Sequence, residues 1–407
     1  MLELVHDRAE GGAMAQVTEL KERAEAELEQ RREELVELSL RIHSHPEVAF
    51  QEYQASRWLA EYLEANGFKV ERNFCGLETA FRAVYGSGSP HIAFLAEYDA
   101  LPGIGHGCGH NIIGTASTAA GVACRGAVDL LGGTVYVIGT PAEEAAGGKA
   151  LMAARGGFDG LDCAMLVHPA SRNVVVTYAL ACIELEVEFL GKAAHAAAAP
   201  EAGINALDAM IVAFSALGLL RQQVRDGARI HGIITDGGQA VNVIPHRTAA
   251  SLLVRALDDA YLEALRERVL ACFRAGAEAT GCELRFRWGD DRRYMTMCTN
   301  MTLAEVFRSN LEALGRQVSP EEPRAFGSTD MGNVSHLLPA IHPTIAVAPS
   351  DVPIHTEAFR EFAASEAGHQ ALIDAAKALA ATGIDLLADP SILARAWEEF
   401  RLRSGGR

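Results

Sequence analysis

The chain has 407 residues, of which 49% are hydrophobic and 22% are charged, and its formal net charge is −17. This length exceeds one ordinary hydrophobic core, so two domains are expected. The acidic balance disfavours nucleic acid and anionic membranes as partners, because both attract basic patches. No apolar run reaches membrane-spanning length either. We therefore expect a globular protein that binds neither nucleic acid nor membrane.

The cellular compartment is predicted from the cysteines and from the first residues of the chain. The eight cysteines are scattered without paired spacing, which is typical of reduced thiols in a long chain. The stretch from Met1 to Gly12 carries acidic residues and lacks the apolar core of a signal peptide. These features predict a cytoplasmic protein, and residues 1–13 are expected to be a disordered leader or the result of an early translation start.

The first part of the chain alternates predicted helices with buried strands. Its residue patterns predict helices at 15–43, 51–66, 111–131 and 147–155, and strands at 70–72, 79–84, 91–96, 134–139 and 165–167. Polar residues follow several of these strands directly. This is the pattern of an α/β sheet with ligands at the carboxyl ends of its strands.

The pattern changes near residue 180. Strand, helix, strand, strand, helix and strand are predicted in turn at 181–190, 203–225, 230–235, 249–257, 258–280 and 284–288. This βαββαβ order is the ferredoxin-like signature. Helices at 301–314 and 361–387 and a strand at 344–347 follow. We therefore predict one domain from residues 14–179 and 291–407, and an inserted domain at 180–290.

A glycine-rich segment after the strand at 91–96 holds side chains that bind metals. His106, Cys108 and His110 occupy every second position, with glycines between them. Imidazole and thiolate suit a borderline metal such as zinc, and glycine lets the backbone bend closely around an ion. Taken alone, the segment is equally compatible with a glycine-rich turn that carries incidental histidines.

Further candidate ligands follow later strands. The adjacent Glu143 and Glu144 come after an apolar strand and precede small residues, so they are expected in a tight interior loop. Two such carboxylates repel each other unless a cation or a shared proton relieves them. His168 follows another predicted strand and His355 lies in a polar turn, although each alone could be an ordinary loop histidine.

Together these residues exceed the needs of one zinc ion. The candidate ligands are Cys108, His110, one member of the Glu143–Glu144 pair, His168 and His355. Five ligands are too many for a single tetrahedral site and suit two metals that share a water. The other carboxylate of this pair is then the candidate general base and acid.

Five motifs carry a resemblance to a known family. In chain order they are Asp-Ala-Leu-Pro, His-Gly-Cys-Gly-His-Asn, Pro-Ala-Glu-Glu, Gly-Lys-Ala-Ala-His and Gly-Ser-Thr-Asp. From about residue 40 to residue 385, the chain resembles the aminoacylase and carboxypeptidase-type dinuclear metallohydrolases. Within them it is most similar to the cysteine-ligand branch of aminobenzoyl-glutamate hydrolases, auxin-conjugate hydrolases and β-alanyl dipeptidase-like proteins.

The resemblance implies an architecture and its cofactors. The fold would be α/β, with a mixed sheet flanked by helices and an inserted ferredoxin-like α+β lid domain. Two subunits would form a homodimer through the lid. The cofactors would be two divalent metal ions, Mn²⁺ or Zn²⁺. The substrate would be a small molecule that carries a carboxylate.

The resemblance also implies roles for individual residues. Cys108, His110, Glu144, His168 and His355 would bind the metals. Glu143 would be the catalytic base, and Asp99 would orient a ligand. His195 would reach the site from a partner subunit and stabilise the oxyanion of the intermediate. From sequence alone, however, a single histidine among alanines is more often structural.

Four more residues are candidates for substrate contacts. The resemblance implies this role for Asn242 and for Ser328 and Thr329 in the Gly-Ser-Thr-Asp motif, although Asn242 could also be a simple turn residue. Arg255 could pair with a substrate carboxylate, although a strand arginine is more often part of a surface ion pair.

These features predict hydrolysis of an amide bond in a small N-acyl or N-aminoacyl amino acid by a metal-activated water. One alternative is hydrolytic deamination of an aromatic amine, such as an anthranilate, at the same dinuclear site. Another is a small-molecule-binding homologue without catalytic activity. The intact Glu143 and the full ligand set argue against this last alternative.

Overall fold

The computed structural model describes residues 2–320 and 327–403, with side chains described from residue 15 onward. The side chains of the predicted leader, residues 1–13, therefore lie outside the described part. The backbone divides into two compact units. The first unit comprises Met1–Tyr178, Cys298–Arg324 and Asn333–Arg407, and the second comprises Ala179–Met297 and Ala325–Gly332. The predicted extents of the two domains, 14–179 with 291–407 and 180–290, stay a prediction.

The elements up to residue 170 belong to the first unit. The helices are α1 (Leu2–Gln30), α2 (Arg32–Ser44), α3 (Tyr53–Ala65), α4 (His110–Ala123), α5 (Arg125–Leu131) and α6 (Gly148–Ala154). The strands are β1 (Lys69–Arg72), β2 (Phe81–Ser87), β3 (His91–Ala96), β4 (Gly133–Gly139), β5 (Cys163–Met165) and β6 (His168–Ala170).

The second unit follows, and the chain then returns to the first. The second unit contains β7 (Ala181–Leu190), α7 (Ala206–Leu220), β8 (Arg229–Asp236), β9 (Arg247–Ala256), α8 (Asp259–Thr280) and β10 (Glu283–Trp288). The remaining elements are α9 (Met301–Ala313), α10 (Met331–Ser335), β11 (Ala340–Ile341), β12 (Thr344–Ala346), α11 (Glu357–Ala363), α12 (Glu366–Ala388) and α13 (Pro390–Arg403).

The main sheet of the first unit is mixed, which confirms the predicted fold class. Its strand order is β1-β2-β4-β3-β5-β11. Strands β4, β3, β5 and β11 are parallel, whereas β1 and β2 pair antiparallel at one end. The parallel strands are almost wholly apolar because helices such as α4 and α12 pack against the sheet. Their carboxyl ends meet at one edge, where the candidate ligands follow.

The second unit has the predicted ferredoxin-like order. Its antiparallel sheet runs β10-β7-β9-β8, and α7 and α8 pack against it. On β7, Ile183, Leu185 and Val187 are buried, as the alternating sequence predicts for a strand with one core-facing side.

Three long predicted helices are each divided in two. Arg31 leaves the helical conformation between α1, which packs mainly along α12, and α2, which packs mainly against α4. A second division falls at Cys124, and a third separates α11 from α12, where the Ser365 hydroxyl caps the new helix by accepting the amide of Gly368. None of the helices in the described ranges has both the length and the apolar character that a membrane crossing requires.

Candidate metal centre

The glycine-rich segment runs from the end of β3 to the start of α4. Cys108 lies at the end of this loop, and His110 is the first residue of α4. Between them, Gly109 has a φ of +78°, and a Cβ atom there would lie 2.5 Å from Pro169. Only glycine therefore allows the loop to pass so close to β6, which begins at His168.

His110 is oriented by Asp99. The Nδ1 atom of His110 lies 2.9 Å from Oδ1 of Asp99, and both side chains are buried. The carboxylate accepts a hydrogen bond from Nδ1–H, so Nε2 is left as the ligand atom. Burial alone would lower the pKa of His110, but the charges of Asp99 and Cys108 raise it well above its ordinary value.

Cys108 lies beside His168. Its Sγ atom is 3.3 Å from Nε2 of His168, whose Nδ1 donates to the carbonyl of Pro169 at 2.7 Å. That hydrogen bond keeps Nε2 available as a ligand atom. Burial, with the charge of Glu144, raises the pKa of the Cys108 thiol well above its ordinary value. A thiolate at this position therefore needs a cation next to it.

Glu144 joins His355 to this group. Its Oε1 atom lies 3.4 Å from Nε2 of His355 and 3.7 Å from Nε2 of His110, while its backbone amide donates to Oδ2 of Asp99 at 2.9 Å. His355 has a φ of +65°, and its amide donates to the carbonyl of Gly107 at 2.8 Å. A non-glycine residue held in this strained conformation is common at functional sites.

The five predicted ligands thus converge. Three groups of potential ligand atoms each lie within 4.8 Å of one another: Cys108 with His110 and His168; Cys108 with Glu144 and His355; and His110 with Glu143 and Glu144. Because these groups share members, they form one continuous cluster, with Glu143 beside it.

The cluster fits a pair of divalent cations. Within the described ranges, Nε2 of His110 and Oε1 of Glu144 are buried without a hydrogen-bond partner. Unpaired buried polar atoms are rare in proteins, and a bound ion would satisfy both. Sulfur, imidazole nitrogen and carboxylate oxygen are also the donors that zinc accepts.

Comparison with known proteins agrees with this geometry. Residues 93–382 match peptidase family M20/M25/M40. The chain belongs to this family. The Xaa-Arg dipeptidase of Mus musculus is 37% identical, with 96% of this chain and 94% of that protein covered. One chain of the p-aminobenzoyl-glutamate hydrolase of Escherichia coli (strain K12) is 30% identical, with 92% and 93% covered.

Solved structures share the fold of this M20-family chain. A Bacillus subtilis protein described as a dinuclear metal binding peptidase from the M20 family has a TM-score of 0.67 and 20% identity, covering 88% of this chain and 99% of its own. An aminobenzoyl-glutamate utilization protein from Klebsiella pneumoniae has a TM-score of 0.69 and 19% identity, covering 89% and 98%. The chain is therefore a metallopeptidase of the M20 family and a hydrolase.

Sequence reasoning missed a buried ion pair next to the candidate metal ligands of this M20 enzyme. Oε1 of Glu97 lies 2.6 Å from Nζ of Lys149, and both side chains are completely buried. Oε2 of the same carboxylate is 3.6 Å from Nε2 of His110. Glu97 is two residues before Asp99, so strand alternation could have placed both on one face. Nothing in the local sequence marks Lys149, which lies at the start of α6.

The other sequence candidates lie in the second unit. His195 and Asn242 are exposed on neighbouring loops, where the amide of Ala196 donates to the backbone carbonyl of Asn242 at 3.1 Å. Arg255, on β9, donates from Nη1 to Oγ of Ser328 at 3.1 Å. Thr329 is buried, and its hydroxyl accepts the amide of Met331 at 3.2 Å. The structure therefore places His195 near Asn242 and Arg255 beside Ser328, and Thr329 follows Ser328 directly.

Proposed function

We propose that this M20 hydrolase cleaves the amide bond of a small N-aminoacyl or N-acyl amino acid with a free carboxylate. The observation that carries the proposal is that five candidate ligand side chains converge in one cluster, with Glu143 beside them. Its relatives in mouse and Escherichia coli are named as an Xaa-Arg dipeptidase and as part of an aminobenzoyl-glutamate hydrolase. Both names describe substrates of this chemical class.

In our proposal, five residues hold two cations, Mn²⁺ or Zn²⁺. These are Cys108, His110, Glu144, His168 and His355. Two such cations, when bound, would supply Lewis acidity that lowers the pKa of a water and polarises the amide carbonyl. The protein's part is to orient the donors, which Asp99 and the Pro169 carbonyl do for two of the imidazoles.

Glu143 is the proton-transfer residue of this proposal. It is 8% exposed and is the immediate neighbour of a proposed ligand, Glu144. A carboxylate there can take a proton from the attacking water and later give it to the leaving nitrogen. The C–N bond of the amide substrate breaks in this step, and the products are a free amine and a free carboxylate.

His195 is proposed to stabilise the oxyanion, and its ring is prepared for that role. Its Nδ1 accepts the backbone amides of Ala197 and Ala198, each at 3.2 Å. Because Nδ1 accepts, the neutral ring carries its proton on Nε2. The Nε2–H group is therefore a hydrogen-bond donor, which is what a developing oxyanion needs.

Arg255 and Ser328 are proposed to bind the substrate carboxylate, with Asn242 and Thr329 as further polar contacts. Within the described ranges, Nε of Arg255 is buried and has no hydrogen-bond partner. A guanidinium has a planar fork of donors that matches a carboxylate. Because not every donor of the Arg255 guanidinium has a partner among the described residues, this side chain is suited to such a ligand.

A homodimer through the second unit is also part of the proposal. Strand β8 is at an edge of its sheet, where Ile233 and Ile234 are 67% and 42% exposed. An exposed apolar edge strand is a surface that a second copy can extend. The cytoplasmic location expected from the sequence stays a prediction, and all eight cysteines are free thiols.

A substrate panel tests the proposed activity. The purified enzyme, loaded with Mn²⁺ or Zn²⁺, is offered Xaa-Arg and other dipeptides, aminobenzoyl-glutamate, N-acetyl amino acids and anthranilate. Release of a free amino acid from the amides, abolished by a chelator and restored by metal, is the expected result. Ammonia from anthranilate, with the amides intact, would instead support deamination. Binding of the amides without turnover would support a catalytically silent homologue.

A further inference from the structure

Glu52 is a buried carboxylate that the proposed mechanism does not use. It is completely buried and accepts hydrogen bonds from three separate segments of the chain. Oε1 accepts the amides of Phe50 at 3.0 Å and Ala142 at 2.9 Å, and Oε2 accepts the hydroxyl of Thr79 at 2.9 Å. Burial raises the pKa of Glu52 to about 7, and the charge of Asp99 adds to the rise. Because burying a carboxyl group costs free energy, its presence here requires an explanation.

One of its partners belongs to the loop that carries the proposed base. Ala142 is completely buried and has a φ of +62°, a left-handed conformation that residues with a Cβ atom rarely adopt. Glu143 and Glu144 follow it directly. The loop is also tightly closed, since a Cβ atom on Gly148 would lie 1.7 Å from the carbonyl oxygen of Pro141.

The loop is therefore held on both sides of Glu143. The amide of Ala142 donates to Glu52, and the amide of Glu144 donates to Oδ2 of Asp99, each at 2.9 Å. Glu143 is the single residue between these two anchors. Its backbone position depends on two buried carboxylates, one of which is 90 residues earlier in the chain.

The geometry points to Glu52 as a positioning residue that fixes the backbone of Ala142 and thereby the placement of the Glu143 carboxylate. This inference rests on the proposed role of Glu143. It requires that the hydrogen bonds of Glu52, and not its charge, hold the loop. A displacement of about 1 Å in a catalytic group can lower a rate by about a hundredfold.

Two substitutions separate the hydrogen bonds from the charge. In Glu52→Gln, the amide oxygen still accepts from Phe50 and Ala142, and its NH₂ group can donate to the Thr79 hydroxyl. Glu52→Leu keeps a similar volume but removes every acceptor. We expect kcat to stay within about twofold in Glu52→Gln and to fall by about tenfold or more in Glu52→Leu, with KM and metal content nearly unchanged in both.

Leu63→Ala is the matched control, because Leu63 is a completely buried residue near the far end of α3, the helix that begins directly after Glu52. Kinetics are compared well below the melting temperature of each variant. Equal losses of kcat in Glu52→Leu and Leu63→Ala would overturn the inference. So would a Glu52→Gln variant as slow as Glu52→Leu, or loss of bound metal in Glu52→Leu.

Amide hydrogen exchange provides a readout that does not depend on the substrate. Exchange in residues 140–148 should accelerate in Glu52→Leu and stay slow in Glu52→Gln and Leu63→Ala. If no amide is hydrolysed by the wild type, the proposed function fails, while this measurement still decides whether Glu52 holds the loop. If Glu52→Leu does not fold, Glu52→Asp withdraws the carboxylate by one methylene group. Faster loop exchange and a smaller kcat are then expected, and unchanged values would overturn the inference.

Discussion

Asp99 and His110 form a fully buried hydrogen bond of 2.9 Å between Oδ1 and Nδ1. The other oxygen of Asp99 accepts the amide of Glu144 at 2.9 Å. One carboxylate therefore orients an imidazole from the start of α4 and a loop that follows β4. Because His110 and Glu144 are both proposed ligands, Asp99 links the two chain segments that supply them.

Asp99→Asn should weaken metal binding. The asparagine has one oxygen where the aspartate has two, and it lacks the charge that polarises His110. Loss of such a supporting group lowers metal affinity by about 10- to 100-fold. Competition with a fluorescent chelator measures the dissociation constants. Asp162→Asn is the control, since Oδ2 of Asp162 accepts the amide of His91 at the opposite end of β3. Equal affinities for both variants would contradict the assignment.

Glu143→Gln should abolish most turnover while the protein keeps its metals. The amide has nearly the same shape as the carboxylate but cannot accept a proton, so kcat should fall by about 10²- to 10⁴-fold. Steady-state kinetics and elemental analysis of the same sample check both parts.

Cys108→Ala provides the contrast for Glu143→Gln. It removes a proposed ligand and should lose at least one metal per chain, whereas Cys163→Ala, which also removes a buried thiol, should keep both. A Glu143→Gln enzyme with near-normal kcat would refute the proton-transfer assignment.

Lys149→Met should strongly destabilise the first unit. The substitution leaves the Glu97 carboxylate buried without its partner, which costs about 3–5 kcal/mol in the free energy of unfolding. The double variant Lys149→Met/Glu97→Gln should recover part of this loss. Lys377→Met removes a partly exposed ion pair with Glu29 and should cost less than about 1 kcal/mol. Urea unfolding measures all three, and similar losses for the two single variants would contradict the prediction.

The stability of the protein should depend on pH through Glu52. Its pKa is about 7 in the folded protein against an ordinary value of 4.5. Between these values the folded carboxyl keeps a proton that the unfolded one has lost, so stability falls as pH rises. The loss is complete above pH 7 and amounts to about 3 kcal/mol.

Glu52→Gln isolates this effect because glutamine does not titrate. Relative to the wild type, the free energy of unfolding of the variant should rise from pH 5 to about pH 7 and then level off. Leu63→Ala should differ from the wild type by the same amount at every pH. A Glu52→Gln difference that is flat across this range would contradict the prediction.

Ile233→Lys should produce a monomer with little activity. It places a charge on the exposed edge strand β8, where the proposed homodimer forms. Because His195 is proposed to act in the site of the other protomer, separation of the two chains should also lower kcat. Light scattering measures the mass. Leu130→Lys alters an apolar residue on α5 that is 56% exposed and should change neither mass nor rate. A monomeric variant with full activity would show that the site is complete within one chain.

The local sequence predicted a large part of the architecture. Strand alternation identified β7, and the βαββαβ order identified the second unit, because both patterns depend on neighbouring residues. The ends of long helices were less predictable. Arg31 interrupts a continuous helical pattern, and the two helices that it separates pack mainly against different elements, α1 along α12 and α2 against α4.

The sequence by itself determined which donors could serve the metal centre, because cysteine, histidine and glutamate at strand ends have a recognisable chemistry. Only the tertiary structure decided how those donors are supported. Glu52 contacts Ala142, and Lys149 contacts Glu97. The residues of each pair are so far apart in the sequence that no periodic residue pattern predicts the contact. Such contacts arise when the sheet and helices pack and bring distant segments into one low-dielectric interior, where each buried charge or amide needs a partner.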